Sequence, residues 1–273
     1  MENETVLVIG ADGFIGKEVC KQLEEKNYEV IKFDRKINPN QDTLYFQDLP
    51  DADYVINLAG LVGLKHCLDN PINAVYQNLL GTVRLLEYFS KLENVPERFI
   101  HISTWATEGN LENPYDITKL AAENMVMSFI RRGLIKGSIC RLGTTYGKGM
   151  SPLGVIPTML KLAKQGKPLT VHGRGDQIRQ FTHVSDIASG IITVMEVGKN
   201  GEKYYIVSDE ITSIIDIAKN ISDNITYLEK REGDENYNPI DNKPLKELGW
   251  IPRIKFKEGI KEMKEWINEV TNG

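Results

Sequence analysis

The chain has 273 residues, 41% of them apolar and 26% charged, enough for one large domain, or a domain with a lobe, of ordinary globular composition. A formal net charge of −5 argues against nucleic acid as the main partner, and no apolar run reaches membrane-spanning length. The start Met1-Glu2-Asn3-Glu4 lacks a basic region and an apolar core, so no signal peptide is expected. Cys20, Cys67 and Cys140 are scattered in apolar stretches without metal-ligand spacing, and are expected as buried thiols in a reducing, cytoplasmic setting.

The first half alternates apolar strands with helical periodicity. Strands are expected at Val6–Ile9, Glu29–Phe33, Leu44–Phe46, Tyr54–Leu58, Arg98–Ile102 and Gly137–Leu142, and helices at 14–26, 71–92 and 115–132. This alternation is the signature of an α/β fold, a doubly wound parallel sheet that binds ligands at the carboxyl ends of its strands. Past Tyr146 the pattern loosens. Helices are expected at about 155–165, 184–197, 213–222 and 256–270 around short strand pieces, with Trp250 as packing for this last lobe. The division expected is a dinucleotide-binding domain over 1–146 and a smaller lobe over 147–273, with segment 177–207 returning to the main sheet.

The strand Val6–Ile9 runs into Gly10, Gly13 and Gly16 where the next helix begins. Such a turn needs a residue free of Cβ restrictions, close backbone approach and tight helix–strand packing. Phosphates then rest on the unpaired N–H groups of the helix start. The second strand ends at Asp34, placed to hydrogen-bond an adenosine ribose and to repel a 2′-phosphate. NAD is therefore expected, while Arg35 and Lys36 keep NADP open.

Mid-chain, Asn113-Pro114 leads into a helix whose Tyr115 and Lys119 stand four apart on one face. The ammonium is expected to lower the tyrosine's pKa toward the working range, making a general base for an alcohol or sugar hydroxyl. Ser103-Thr104, at the end of the preceding strand, offer a hydroxyl to the reacting oxygen or cap the strand end.

With these residues together, the chain resembles the extended short-chain dehydrogenase/reductase family, in particular its NAD-dependent nucleotide-sugar epimerases and dehydratases. The matching pieces are Gly10–Gly16, Asp34, Asp48-Leu49, Asn57 to Leu61, Pro71 through Thr82, Ser103-Thr104, Pro114-Tyr115 to Glu123, Arg141 with Tyr146-Gly147, Gly173 to Phe181, His183 to Asp186 and Leu248 to Pro252. The resemblance implies Thr104, Tyr115 and Lys119 as a catalytic trio. It implies Phe14 and Ile15 at the pyrophosphate, Asp48 and Leu49 near the adenine, and Leu58, Ala59, Gly60, Leu61 and Asn78 along the cofactor. Arg179 would hold the substrate diphosphate, and Thr144 would lie on the substrate side.

Three departures stand out. Dehydratases of the family carry an acidic pair after Ser-Thr, where this chain has Trp105-Ala106; the stretch from Thr104 to Tyr115 is short, with Glu108 in place of a tyrosine; and Gly143-Thr144 replaces an aromatic-asparagine pair. The leading expectation is a UDP-hexose-type 4-epimerase with tightly bound NAD+, working through a transient 4-keto sugar. An NAD(P)H-dependent 4-keto-sugar reductase and a cofactor-sensing protein without catalysis are the alternatives. The expected partner is a nucleotide-diphosphate sugar, with no nucleic acid, membrane or metal. A homodimer is expected through helices 71–92 and 115–132, using Val75, Leu79, Val83, Leu86, Met125, Met127, Phe129 and Ile130.

Overall fold

The computed structural model describes residues 3–109, 111–230 and 239–270; Met1 and Glu2, part of the start read above for a leader, lie outside them. In chain order the elements are β1 (Thr5–Ile9), α1 (Phe14–Glu25), β2 (Glu29–Phe33), β3 (Tyr54–Asn57), α2 (Leu64–Asp69), α3 (Pro71–Ala74), a π-helical segment (Val75–Leu80), α4 (Gly81–Phe89), β4 (Arg98–Thr104), a 3₁₀ turn (Trp105–Glu108), α5 (Pro114–Arg131) and β5 (Gly137–Leu142). They continue with β6 (Thr144–Tyr146), α6 (Val155–Lys164), β7 (Leu169–His172), β8 (Ile178–Arg179), β9 (Phe181–His183), α7 (Val184–Val197), β10 (Lys203–Ile206), β11 (Thr212–Ser213), α8 (Ile214–Ile221), β12 (Ile225–Leu228), α9 (Lys243–Lys246) and α10 (Phe256–Val270).

Six strands form one parallel sheet in the order β10-β5-β4-β3-β1-β2, the Rossmann-like α/β architecture expected. Val6, Leu7, Val8 and Ile9 are all fully buried, as a strand covered on both faces must be, and this is why β1 reads as an unbroken apolar run. Leu7, Ile9, Val55, Phe99 and Ile139 meet Leu85, Leu86 and Phe89 of α4 and Val126, Met127 and Ile130 of α5 in one core. Each such side chain contributes about 1.5–3 kcal/mol on burial. Because β2 and β3 flank β1 on opposite sides, the strand order reverses there, and the residues leaving β1, β2 and β3 line the crevice such a reversal creates.

The chain divides into two compact units. The first holds Met1–Leu142, Ala188–Ile206 and Pro244–Trp250; the second holds Gly143–Ile187, Val207–Lys243 and Ile251–Gly273. The second has its own core, in which Tyr146, Ile156, Leu169, Phe181, Phe256 and Met263 are buried. Trp250, expected to pack the last part of the chain, belongs to the first unit and donates its indole N–H to Ser189 on α7 at 3.0 Å.

Two local expectations are corrected. Leu44–Phe46 is a turn rather than a strand: the Asp42 carbonyl accepts the N–H groups of Tyr45 and Phe46 at 3.0 and 2.9 Å, and its carboxylate accepts that of Leu44 at 2.8 Å. A side chain that captures nearby amides competes with the sheet ladder. The helix expected at 71–92 is α3, the π segment and α4 in succession, ending at Phe89.

Candidate functional site

The glycine turn after β1 is built by backbone crowding. Gly10 has φ +88°, and a Cβ there would lie 2.9 Å from the Ala59 nitrogen; a Cβ on Gly16 would lie 2.1 Å from the Gly10 carbonyl oxygen. Helix α1 starts after Gly13 with no side-chain cap, leaving its first N–H groups, those of Phe14 and Ile15 among them, without side-chain partners. A turn with glycine at its three crowded places, beside an uncapped helix start, suits a pyrophosphate. The Asp34 carboxylate reaches the same turn: Oδ2 accepts the Asp12 N–H at 3.0 Å and Oδ1 accepts that of Lys36 at 2.9 Å. Arg35 pairs instead with Asp42, N to O 3.7 Å. The residues present therefore fit a dinucleotide with a free ribose hydroxyl. The Tyr88 hydroxyl donates to Asp48 and to the Leu49 carbonyl, and accepts the Leu49 N–H at 3.1 Å.

The loop after β3 is clasped to the helix that carries Tyr115. Leu58 donates to the Ile9 carbonyl at 2.8 Å and Ala59 to the Asn57 side chain at 3.2 Å. Fully buried Asn78, on the π segment, accepts the Leu61 N–H at 2.7 Å and donates to the Thr118 hydroxyl at 3.1 Å. Gly60 sits directly beneath that amide, since a Cβ there would lie 2.8 Å from Asn78 Oδ1. Thr118 in turn donates to the carbonyls of Pro114 and Tyr115. One side chain thus joins the loop after β3 to the start of α5, and π segments are often found at functional sites.

Helix α5 begins as its sequence dictates. The Asn113 side chain accepts the Tyr115 N–H at 2.8 Å, and Pro114 takes the first helical position, a cap of the kind that stabilises a helix by about 1 kcal/mol. Thr104, closing β4, offers its hydroxyl to Tyr115. Burial, then the charge of Asp116 and the neighbouring Cys67 thiol, push the Tyr115 hydroxyl well above its ordinary value, opposed by the hydrogen bond with Thr104. The expectation of a lowered pKa is thereby corrected. The Lys119 ammonium donates to the Ile102 carbonyl at 2.5 Å, and its charge does not offset the burial. Burial also brings Lys119 down to about 8, against the raising effect of Glu123. In the protein by itself, then, the proton rests on Tyr115 at neutral pH and Lys119 is charged.

Beneath this pair lies a feature to which the sequence reading assigned no role. Glu123, fully buried, accepts from Arg141 at 2.9 and 2.7 Å, from Lys203 at 2.8 Å and from the Thr107 hydroxyl at 3.2 Å. Arg141 also donates to Glu108 at 2.5 Å and to the Tyr205 hydroxyl at 2.6 Å. The four-residue step from Lys119 to Glu123 was a local signal; Lys203, far along the chain on β10, had none. Asp116 is a second such residue, its Oδ1 buried without a hydrogen-bond partner and its carboxyl raised by burial.

Thr144 and Arg179 lie in the second unit. Thr144 stands opposite Phe181 in the β6–β9 pair, and Arg179 opposite Thr212 in the β8–β11 pair, with its guanidinium donating to the Ile178 carbonyl at 2.7 Å. Among the described residues no helix is long and apolar enough to cross a membrane.

Residues 6–207 match the NAD dependent epimerase/dehydratase family. A dTDP-glucose 4,6-dehydratase of Escherichia coli is 27% identical over 98% of this chain and 93% of its own length. A trifunctional UDP-glucose 4,6-dehydratase/epimerase/reductase of Arabidopsis thaliana is 28% identical over 97% of this chain; the chain spans about half, 47%, of that protein. Among solved structures, a UDP-glucose 4-epimerase of Thermotoga maritima superimposes with a TM-score of 0.84 at 24% identity, over 98% of this chain and 99% of that one. A UDP-glucuronic acid 4-epimerase of Bacillus cereus, solved with UDP-glucuronic acid and NAD, gives 0.82 at 25% identity, over 97% and 99%. Built on the glycine turn, the Asp34 carboxylate and the Thr104–Tyr115 pair, and matched over most of its length, the chain belongs to the NAD dependent epimerase/dehydratase family, whose members are enzymes.

Proposed function

We propose that this chain is an NAD-dependent 4-epimerase of nucleotide-diphosphate hexoses, of the UDP-hexose type. The observation that carries this reading is the 3₁₀ turn after Thr104. Its first two places hold Trp105 and Ala106, and its one carboxylate, Glu108, is engaged by Arg141. Eliminating water from a sugar needs an acid and a base there beyond Thr104 and Tyr115; exchanging configuration at C4 does not. Bound NAD+ supplies the hydride acceptor and a positive ring. With that positive ring added to the charge of Lys119, Tyr115 would first give up its own proton to solvent; as phenolate it takes the proton of the C4 hydroxyl, while Thr104 holds that oxygen by its own hydroxyl. The same groups return the proton once the flat 4-keto sugar has presented its other face.

Phe14, Ile15 and Asp34 hold the cofactor's pyrophosphate and ribose, Asp48 and Leu49 its adenine end, and Leu58 to Leu61 its length. Thr144 and Arg179 belong to the substrate, Arg179 as the planar fork that matches a diphosphate. The test is to incubate the purified protein with UDP-glucose and analyse both sugar and cofactor. The expected result is the C4 epimer at equilibrium, with NAD+ released on denaturation and no net consumption of added NADH or NADPH. Arg179→Ala should raise KM more than it lowers kcat. Stoichiometric NADPH consumption on a 4-keto substrate would instead make the chain a reductase, and loss of water a dehydratase.

The family resemblance also supports a homodimer, through residues that share only Val75 with the set read from the sequence. Leu86, Met127 and Ile130 are buried in the chain's own core and are not available. Ile72, Val75, Tyr76 and Leu80 on α3 and the π segment, with Ile117 on α5, remain exposed, a run of apolar surface that a second copy would cover. Light scattering at micromolar concentration should give about twice the 30.9 kDa chain mass; the monomer mass would remove the dimer.

A further inference from the structure

Tyr115, Lys119 and Glu123 follow one another at four-residue steps along one face of α5. The last gathers charged and hydroxyl groups from three other elements: Arg141 on β5, Lys203 on β10 and Thr107 on the 3₁₀ turn. Lys119 is buried against β4, its Nζ on the Ile102 carbonyl. One turn of helix, about 6 Å along the axis, separates it from Glu123. A buried ammonium whose hydrogen bond goes to a neutral carbonyl has no counter-ion in direct contact, and the cost of that falls on its charged form. We propose that Glu123 is a positioning residue for the charge of Lys119: it is the counter-ion that keeps this ammonium protonated beside Tyr115, and Arg141 and Lys203 set how much of its charge Lys119 feels. This inference rests on the reading of Tyr115 and Lys119 as the proton-transfer pair.

The surroundings leave Glu123 alone in that role. On α5 itself, Tyr115 is uncharged and Asp116 lies in the first turn, with burial raising its carboxyl. From β4, His101 is fully buried with both ring nitrogens unpartnered; burial, then Lys119, hold it neutral. From β5 come Arg141 and the buried Cys140 thiol, which burial raises. From β10 come Lys203 and Tyr205, the latter raised by burial and then by Glu108. From α2 comes the buried Cys67 thiol, while Lys65 and Asp69 pair with each other outside. On α4, Arg84 turns to Phe46, and Tyr88 to Asp48. Glu108, on the 3₁₀ turn, is exposed and occupied by Arg141. Glu123 itself is strongly anionic: burial opposes its charge, but Arg141 and then Lys203 hold its carboxyl down at about 2.

Changes of opposite sign test the proposal. Lys203 is partly exposed, and Lys203→Met removes one cation from the Glu123 cluster. Glu123→Gln with Lys203→Met removes one charge of each sign, leaving Arg141 to Glu108. The full-length protein, labelled with ¹³C at lysine Cε, is titrated by NMR, with the Lys119 signal assigned by its absence in Lys119→Met. Relative to wild type, Lys119 should titrate higher in Lys203→Met and lower in the double variant, by about half a pH unit or more each way. Lys203→Arg should restore the wild-type value. The alkaline limb of kcat/KM should move in the same two directions. A Lys119 titration unchanged in the double variant, or shifted upward there, overturns the proposal. The NMR titration needs no turnover, so the expected shifts in a protein that interconverts no sugar would sink the activity reading and leave this one standing.

Discussion

Tyr115→Phe is expected to fold, to bind NAD, and to lose on the order of a hundredfold or more of turnover, the usual worth of a positioned acid–base group. The hydroxyl is the only atom removed. The ring stays at the second position of α5, whose Asn113 cap uses the backbone N–H and survives the change. Thr104 keeps its own contact with the Ala106 N–H at 3.3 Å, so the 3₁₀ turn does not depend on the lost group. Burial, with Asp116 and Cys67, keeps this hydroxyl protonated at neutral pH, as it is in the unfolded chain, so removing it takes away no ionic contribution to folding. Melting temperature and NAD titration should therefore match wild type while initial rates on the nucleotide sugar collapse. Wild-type rates would remove Tyr115 from the reaction.

Gly16→Ala should markedly weaken cofactor binding. The added Cβ would lie 2.1 Å from the Gly10 carbonyl oxygen and 2.9 Å from two backbone atoms of Ala11. No rotamer relieves a clash between a Cβ and backbone, so α1 must shift against β1, in the turn proposed to take the pyrophosphate. Overpacking of this kind costs roughly 1–3 kcal/mol, and N–H groups displaced by even an ångström lose much of their charge-assisted contact with phosphate. The expected result is a lower melting temperature and at least about a tenfold weaker NAD affinity. Calorimetric titration showing wild-type affinity would mean that the pyrophosphate does not sit on this turn.

Much of this fold was legible because a parallel strand buried on both faces reads as continuous apolar sequence, and because glycine is the residue that fits where β1 turns into α1. What misled was burial without extension. Leu44 and Phe46 are buried, and Leu-Tyr-Phe carries the residue types of a strand, yet Asp42 gathers the local amides into a turn. The helix over 71–92 keeps its apolar spacing through the π segment, so periodicity alone runs straight across it. At the site, the four-residue step from Tyr115 to Lys119 was visible. That the ammonium spends its hydrogen bond on the Ile102 carbonyl depends on how α5 lies against β4, which no local pattern records. Lys203 reaches Glu123 only because β10 joins the sheet beside β5.

The wide turn at Val75–Leu80 bears on which insertions and deletions the chain can accept. A π turn holds an extra residue against the regular helix on either side. Six residues at the wide pitch turn through roughly the same angle as five at the α pitch, so a deletion that closed the stretch into ordinary α-helix would leave the helix on either side nearly where it is and change only what projects from inside the segment. Asn78 lies inside that segment, so the closure would fall on its two contacts, the Leu61 amide and the Thr118 hydroxyl. Here the number of residues matters as much as their identity: a substitution at Leu79 or Leu80 changes a side chain, whereas a single lost codon would reposition Asn78, which fastens the loop after β3 to the helix that bears Tyr115.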